Sequence, residues 1–271
     1  MASNLLKRTV GDVLLETLEG ADGDVFVVNP GESLGELVSV MGDVDSSTVR
    51  LLAAERTLKD TMDDFIVASN AADLVEDDRL EIRSHEGDSN TLLVTGDSVV
   101  AVVEAGDHVA GLVTDDEAFI EAAYEAYEEH WEAAEPFALR TPAISRVRET
   151  LNEGLGPDAV EDFDSMLASM ETARGDGEGL DEVTVSLLVA AKNRELLYDI
   201  SKWGEDVGIA SKATFSRTKT KLEDLGLIDT EKVPIDVGRP RLRLMLGDDR
   251  LRDADAPELA SVAQSLLAGA S

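Results

Sequence analysis

The 271-residue sequence contains no cysteine, which excludes disulfide bonds, thiol nucleophiles and thiolate metal sites. It has no apolar run of the ~18 residues that a membrane-spanning helix needs, and no hydrophobic signal core follows Lys7 and Arg8. These absences predict a cytoplasmic protein without a membrane partner. The chain is long enough to form one large domain or two domains of ordinary size.

Basic residues are scarce in this sequence. It carries 24 Lys and Arg against 57 Asp and Glu, a net charge of −33, and only 8 of the basic residues are Lys. At ~1 M salt the Debye length falls to about 3 Å, so a carboxylate-rich surface repels itself weakly and stays hydrated. The composition is therefore typical of a protein from a halophilic archaeon, with a merely acidic protein from a low-salt organism as the alternative. The apolar content of 43% argues against disorder.

The charge is distributed unevenly along the chain. Residues 1–135 carry 7 basic and 32 acidic side chains, whereas residues 192–243 carry 11 basic and 9 acidic ones. Within the second stretch lie two basic islands: residues 207–222 hold four basic residues and no acid, and residues 232–243 hold four basic residues and one acid. An acidic total argues against a generic nucleic-acid binder, but the two basic islands indicate where a polyanion could bind.

Short apolar runs alternate with helical spacing in the first 135 residues. This alternation predicts an α/β domain with a mainly parallel sheet. The predicted strands are 25–28, 49–53, 80–83, 91–94, 99–104 and 108–113. The predicted helices are 5–18, 33–41, 58–68 and 115–132, the last with an apolar face of Phe119, Ala122, Ala123, Ala126, Tyr127 and Trp131.

Changes in composition and Pro or Gly residues predict four segments. They are an α/β domain over residues 1–135, a helical connector over 136–179, a winged helix-turn-helix domain over 180–250, and a C-terminal amphipathic helix within 251–271. Connector helices are predicted over 141–155 and 157–172, and the C-terminal helix over 256–268. Because these helices offer apolar faces beyond what a winged helix needs, the sequence predicts a homodimer that uses at least one of them.

The segment 181–246 has the pattern of a winged helix-turn-helix domain. Helices are predicted over 181–191, 196–203 and 211–225, and strands over 227–233 and 240–246. Ser211 is a suitable N-cap for the third helix, and Gly226 ends it. The predicted core residues are Phe215, Leu222 and Leu225 on this helix and Leu242, Leu244 and Leu246 on the last strand.

Several motifs in this segment resemble those of known regulators. Residues 207–217 (VGIASKATFSR), 222–228 (LEDLGLI) and 238–240 (GRP) resemble the recognition helix and wing of prokaryotic winged-helix regulators. Over its whole length the chain resembles the haloarchaeal TbsP-type transcriptional regulators and, more distantly, the TrmB-related regulators. This resemblance implies a DNA-binding transcription regulator that controls genes of central carbon metabolism.

In a winged helix the third helix enters the major groove of DNA, which assigns the expected contacts. Arg217 is expected to contact a base, because a guanidinium can bond both acceptors of a guanine edge. Lys212 and Lys221 are expected on phosphates, and Arg239 in the narrow minor groove. The predicted DNA-binding residues are Ser211, Lys212, Thr214, Ser216, Arg217, Lys221, Lys232, Arg239 and Arg241.

Residues 80–94 resemble part of the phospholipase-D-like fold, of which the N-terminal domain would be a degenerate member. An active enzyme of that kind needs a His, a Lys two residues later and an Asp five residues beyond the Lys. Asp88, Asn90 and Thr95 occupy the corresponding positions, so no phosphodiesterase activity is expected. His85, His108 and His130 lack the spacing of metal ligands and are predicted to be surface residues, and neither a cofactor nor a metal is expected.

These observations leave more than one class of function open. The favoured hypothesis is a transcription regulator that binds double-stranded DNA as a homodimer, and whose N-terminal domain senses a small-molecule metabolite or mediates assembly. The alternatives are an α/β enzyme with an accessory winged helix and a winged-helix module that binds protein. The missing catalytic residues favour the first hypothesis and predict that the protein is not an enzyme.

Overall fold

The computed structural model describes residues 4–7, 9–44, 48–87, 90–170, 172–173, 180–236 and 240–269. The chain divides into two compact units. The first comprises Met1–Asp63 and Val67–Leu139, and the second comprises Asp64–Ile66 and Arg140–Ser271. Over the described ranges, no helix is both long enough and apolar enough to cross a membrane.

The first unit is built on a β-sheet that carries helices on both faces. Its strands are β1 (Leu5–Lys7), β2 (Val25–Val28), β3 (Val49–Ala53), β4 (Leu80–Ser84), β5 (Thr91–Val94), β6 (Val99–Ala105), β7 (His108–Thr114) and β8 (Glu135–Pro136). Its helices are α1 (Val10–Gly20), α2 (Leu34–Asp43), α3 (Glu55–Met62), α4 (Phe65–Glu76) and α5 (Glu117–Ala133). The first residues of α4 belong to the second unit.

The strands follow the order β1-β7-β6-β5-β2-β3-β4-β8. β3 pairs in parallel with β2 and β4, whereas the other pairs among the described strands are antiparallel. The prediction of a mainly parallel sheet is therefore wrong. The reason is that tight turns join β5 to β6 and β6 to β7, and strands joined by such short turns pair antiparallel.

The two faces of this sheet are covered differently. Side chains such as Val27, Leu51 and Leu93 form a core with α1, α2, α3 and α4 on one face. α5 packs on the opposite face, which we call the outer face, and buries Phe26 and Val99 there. The outer face therefore has a single covering helix in the described part of this unit.

The predicted helix over 5–18 is wrong in its first turn. Leu5–Lys7 forms the edge strand β1, which pairs with β7. The helix begins at Val10 because Thr9 caps it: its hydroxyl accepts a hydrogen bond from the Asp12 backbone N–H at 3.1 Å, and the Asp12 carboxylate accepts one from the Thr9 backbone N–H at 3.2 Å.

The predicted helix over 58–68 is also wrong, because the chain forms two helices, α3 and α4, in this region. The Asp64 side chain accepts a hydrogen bond from the Ile66 backbone N–H at 2.9 Å, which satisfies a free donor at the start of α4. On α5, the buried face is rotated from the predicted one. Ile120 and Trp131 are buried, but Phe119 is 55% exposed.

The second unit places nine described elements around one apolar core. Its helices are α6 (Ile144–Leu155), α7 (Pro157–Ala168), α8 (Glu182–Lys192), α9 (Leu197–Val207), α10 (Lys212–Asp224), α11 (Asp249–Asp253) and α12 (Ala256–Gly269). Its strands, β9 (Ile228–Val233) and β10 (Arg241–Leu246), pair antiparallel. The short helix α11 was not predicted.

The helices α6, α7 and α12 share their core with α8, α9 and α10. Val147 and Leu151 of α6, Phe163 of α7, and Leu259 and Ala263 of α12 are buried in it. The expected free apolar faces on these helices are therefore already used inside the unit. The reason given above for a homodimer through them does not hold.

Candidate nucleic-acid interface

The turn between α9 and α10 sets the geometry of the helix-turn-helix. α9 ends at Gly208, whose φ of 98° lies in the left-handed region that favours glycine. Ser211 then caps α10, because its hydroxyl accepts a hydrogen bond from the Thr214 backbone N–H at 3.2 Å. The two helices meet closely where Gly204 faces the Phe215 ring, since a Cβ at Gly204 would overlap that ring.

α10 has one buried face and one exposed face. Phe215 and Leu222 are buried, and Leu225 is half-buried against the same core, which confirms the predicted core side of this helix. The exposed residues of its first three turns are Lys212, Ala213, Ser216, Arg217, Thr220 and Lys221. We call these six residues the reading face. It contains no carboxylate, although the chain as a whole carries a net charge of −33.

The structure places most of the predicted α10 residues on this reading face, with two differences. Thr214 is half-buried, and its hydroxyl lies 3.0 Å from the Ser211 hydroxyl and 3.4 Å from an Arg217 nitrogen that donates to it. Thr220 is exposed but was not predicted. Its spacing of three and four residues from Arg217 and Ser216 was the signal that could have identified it.

Lys212 is held by a carboxylate of the preceding helix. Its Nζ lies 2.5 Å from Oε2 of Glu205, and its backbone N–H donates to Oε1 at 3.3 Å. The hydrogen bond from Lys212 lowers the pKa of Glu205, and the same bond raises the pKa of Lys212. Both groups are therefore charged at neutral pH, and Lys212 must exchange Glu205 for a phosphate if it contacts DNA.

Lys219 is buried although it is a basic residue. Its Nζ lies 2.5 Å from Oε2 of Glu223, and Oε1 of Glu223 accepts a hydrogen bond from the Thr230 hydroxyl at 2.6 Å. This network joins α10 to β9. One of the four basic residues in the first island is thus structural and does not face solvent.

The wing consists of β9 and β10, and Leu196 forms an isolated bridge with Arg243. Leu244 and Leu246 are buried as predicted, whereas Leu242 is half-buried. The Arg241 guanidinium lies 4.3 Å from the centre of the Tyr198 ring and 3.7 Å from an Asp199 carboxylate oxygen. Arg241 is therefore held against the start of α9.

The remaining predicted contacts lie at different places on the wing. Lys232 is exposed on β9. Arg239 lies outside the described residues, as does the rest of the wing tip at 237–238. Considering the described residues alone, Arg217, Lys221 and Lys232 have no carboxylate within 4.0 Å, in contrast to Lys212 and Arg241. Among the predicted contacts that the structure describes, these three cations are the ones available to a polyanion without breaking an ion pair.

Two histidines that are distant in the sequence meet in the first unit. The His85 and His130 rings stack with their centroids 4.6 Å apart, and Tyr127 packs edge-on against His130. Both histidines are half-buried, so the prediction of isolated surface residues is wrong for this pair, whereas His108 is exposed.

Thr95 and Asp88 occupy two of the positions that correspond to catalytic residues of the phospholipase-D-like fold. The Thr95 hydroxyl donates a hydrogen bond to Asp97 and accepts one from the Ser98 backbone N–H within the β5–β6 turn. Asp88 lies outside the described residues.

Two protein-family models together cover almost the whole chain. The model described as "Transcriptional regulator TbsP-like, N-terminal" matches residues 2–142. The model described as "Transcriptional regulator TbsP-like, C-terminal HTH domain" matches residues 143–264. The chain belongs to the TbsP-like transcriptional regulators. It is accordingly a DNA-binding transcription regulator, and the predicted order of an α/β region, a helical region and a helix-turn-helix is confirmed.

Solved structures show more distant similarities to this TbsP-like chain. An archaeal chromatin protein, TrmBL2, is 17% identical over 51% of this chain and 55% of its own, with a TM-score of 0.37; its structure is described as showing a novel mode of DNA binding. Two other matches each cover 50% of this chain and 99% of their own, with TM-scores of 0.35. They are Nuc, a phospholipase D family member from Salmonella typhimurium (10% identity), and NucT from Helicobacter pylori (13% identity). No curated protein sequence is significantly similar.

The network beneath the reading face of this TbsP-like regulator predicts a pH effect on stability. Hydrogen bonds from Lys219 and Thr230 lower the pKa of Glu223 below its ordinary value of 4.5. A group whose folded pKa is lowered adds stability above its unfolded pKa, and this stability is lost as pH falls through the folded pKa. We expect Glu223→Gln to lower the urea midpoint at pH 7. As the pH is lowered below about 4.5, the difference in urea midpoint between the variant and the wild type should become progressively smaller.

The matched control for this pH prediction is Glu161→Gln, which changes an exposed carboxylate on α7. Its difference from the wild type should stay small at every pH between 3 and 7. An effect of Glu223→Gln that is the same at pH 3 and pH 7 would show that the Lys219–Glu223 pair does not contribute to stability as described.

Proposed function

We propose that this TbsP-like regulator recognises specific sequences in double-stranded DNA with the reading face of α10 in the major groove. The observation that carries the proposal is the composition of that face. Its six exposed residues include three cations and three small or hydroxyl-bearing side chains, with no carboxylate, in a chain with a net charge of −33. Small residues permit close approach to base edges, and cations bind phosphates and guanine.

The residues of α10 have different proposed roles. Arg217 contacts a base, because it is exposed and held by Thr214 rather than by a carboxylate. Lys212 and Lys221 bind phosphates on either side of it. Ser211 and Ser216, which have short side chains, form hydrogen bonds to the DNA near the start of the helix. Thr214, which is half-buried, orients Arg217 from below.

The wing supplies a second set of proposed contacts. Lys232 and Arg241 bind the DNA backbone, and Arg239 enters the minor groove. The Tyr198 ring supports this role for Arg241, because it holds the guanidinium in one place before DNA arrives, whereas Asp199 must release Arg241 to the phosphate as Glu205 must release Lys212.

We further propose the biological setting of this regulator. The acidic composition supports an origin in a halophilic archaeon, and the resemblance to TbsP-type regulators supports control of central carbon-metabolism genes. The protein binds DNA as a homodimer, since helix-turn-helix regulators commonly read two half-sites. The N-terminal unit acts as the domain that senses a small-molecule metabolite or mediates assembly.

The Glu205–Lys212 pair offers a direct test of the proposed interface. We expect Glu205→Gln to increase the affinity for DNA, because it removes a carboxylate that competes with phosphate for Lys212. In the variant no freed carboxylate takes up a cation when Lys212 moves to the phosphate, so one more counterion is released on binding, which should steepen the slope of log K against log salt by about 0.9. Fluorescence anisotropy with a labelled duplex at several KCl concentrations measures both quantities.

The matched control is Glu55→Gln, which removes the carboxylate 2.6 Å from Lys59 on α3, in the other unit. It removes the same charge from the chain but should leave the salt slope unchanged. If both variants change binding equally, the effect comes from total charge and Lys212 is not at the interface.

A further inference from the structure

The outer face of the sheet is apolar where no helix covers it. An antiparallel strand with one solvated face normally alternates apolar residues toward the core with polar residues toward water. On β1, β6 and β7 the outward residues contain no Asp, Glu, Lys or Arg. In strand order they are Leu6; Val99, Ala101, Val103 and Ala105; and His108, Ala110, Leu112 and Thr114.

The strand register shows that these residues are neighbours. Leu6 pairs with Ala110, and Ala110 pairs with Val103. Leu112 pairs with Ala101, which in turn pairs with Leu92. Two continuous apolar rows therefore cross the strands from β1 and β7 toward β5.

Exposure is concentrated on this surface. Leu6 is 80%, Val103 44% and Leu112 47% exposed, and Phe119 of the adjoining α5 is 55% exposed. These are four of the seven large hydrophobic residues that are exposed in the described part of the chain. Such a patch is unusual on a protein whose charged residues make up 30% of the sequence, and patches of this kind mark interaction surfaces.

The shape of the surface combines a ridge with a groove. Phe119, Ala122 and Ala126 form an exposed stripe along α5, which is the ridge. Between this stripe and the strands lies a groove of about 480 Å³, lined on the sheet side by Ala101 and Leu112 among others. We call the ridge, the groove and the uncovered outward residues of β1, β6 and β7 the outer patch.

We infer that the outer patch is the interface between two copies of this chain. This inference rests on the proposed function, which includes a homodimer, and names the surface through which the two copies meet. Around a two-fold axis each copy presents the same patch, so the interface must be self-complementary. A ridge beside a groove meets this condition, since the ridge of each copy lies in the groove of the other.

The charge of the outer patch favours a second copy over other partners. Its exposed floor has no Lys or Arg that could bind a polyanion and no carboxylate that could bind a basic protein. Two copies can meet there without burying an unpaired charge, which would be costly. Acidic residues such as Glu121 and Glu125 flank the ridge on α5, so like charges approach each other at the rim. Salt screens this repulsion, and the dimer should therefore strengthen with salt.

Sedimentation equilibrium of the full chain without DNA tests the inference. We expect a dimer at micromolar concentration in 2 M KCl and a weaker dimer in 0.2 M KCl. Leu112→Asp and Phe119→Asp should each weaken dimerisation by roughly 10- to 100-fold, equivalent to about 1.4–2.8 kcal/mol. Val75→Asp is the matched control, because Val75 is also an exposed apolar residue but lies on α4, away from the outer patch.

Crosslinking gives a second test that does not depend on disrupting the interface. The chain has no cysteine, so Ala122→Cys introduces a single thiol on the ridge. A short bismaleimide should link Ala122→Cys chains into covalent dimers, whereas Val75→Cys should remain monomeric on a denaturing gel. Circular dichroism checks that each variant is folded.

Three results would overturn the inference. They are a monomeric wild type in 2 M KCl, a dimer that neither Asp substitution weakens, and equal crosslinking at positions 75 and 122. None of them depends on DNA binding. Conversely, α10 variants that lose sequence-specific DNA binding but remain dimers would test the proposed function and leave the inference about the outer patch unaffected.

Discussion

Replacement of Phe215 by alanine is expected to destabilise the second unit by about 3–5 kcal/mol, the usual cost of removing a buried aromatic side chain. Phe215 is fully buried and lies in the core that joins α8, α9 and α10 to the connector helices. The loss should also remove DNA binding, because the position of α10 depends on this contact. Urea unfolding followed by Trp203 fluorescence measures the effect in the second unit.

The chain has two tryptophans, and Trp131 lies in the first unit. A Trp131→Phe background therefore leaves Trp203 as the reporter of unfolding in the second unit. Ile235→Ala is the control within the second unit, since Ile235 is exposed and should change stability by no more than about 0.5 kcal/mol. A loss below about 1 kcal/mol for Phe215→Ala would mean that the ring is not part of a close-packed core.

The second large effect is expected at the reading face. Arg217→Ala should weaken binding to the preferred duplex by about 1–3 kcal/mol and relax the choice of base at one position in each half-site. Arg217 is exposed and has no structural ion pair among the described residues, so its removal should leave the fold unchanged. Anisotropy titrations against the preferred duplex and its single-base variants, at molar KCl, measure both parts of the prediction.

Arg56→Ala is the matched control for this substitution. Arg56 is an exposed arginine on α3 of the first unit, and its removal changes the net charge by the same amount. Its affinity and base preference should equal those of the wild type. Equal losses for Arg217→Ala and Arg56→Ala would attribute the effect to charge, and unchanged base preference in Arg217→Ala would show that Arg217 does not read a base.

The helix-turn-helix could be predicted from the sequence because its signals are local. Ser211 and Gly208 mark the ends of α10 and α9 through caps that depend on a few neighbouring residues. The buried positions of α10 follow from the helical period alone. Its ion pairs could not be predicted with the same certainty, because Glu205 and Lys212 are brought together across the turn.

The sheet of the first unit was harder to predict because pairing joins residues that are far apart in the sequence. The edge strand β1 pairs with β7 more than 100 residues later, and its three residues match the helical spacing of the segment that follows. The stacked pair of His85 and His130 likewise depends on how α5 lies beside β4. The outer patch could not be predicted either, since alternation alone does not show which face a helix covers.

Genome-wide mapping of the tagged protein on chromatin tests the central claim most directly. We expect discrete sites that share a sequence motif in cells expressing the wild type, the same sites with Arg56→Ala, and their loss or a degenerate motif with Arg217→Ala at equal protein levels. Uniform association without discrete sites, or an unchanged motif and occupancy with Arg217→Ala, would contradict the claim that the reading face of α10 recognises DNA sequence.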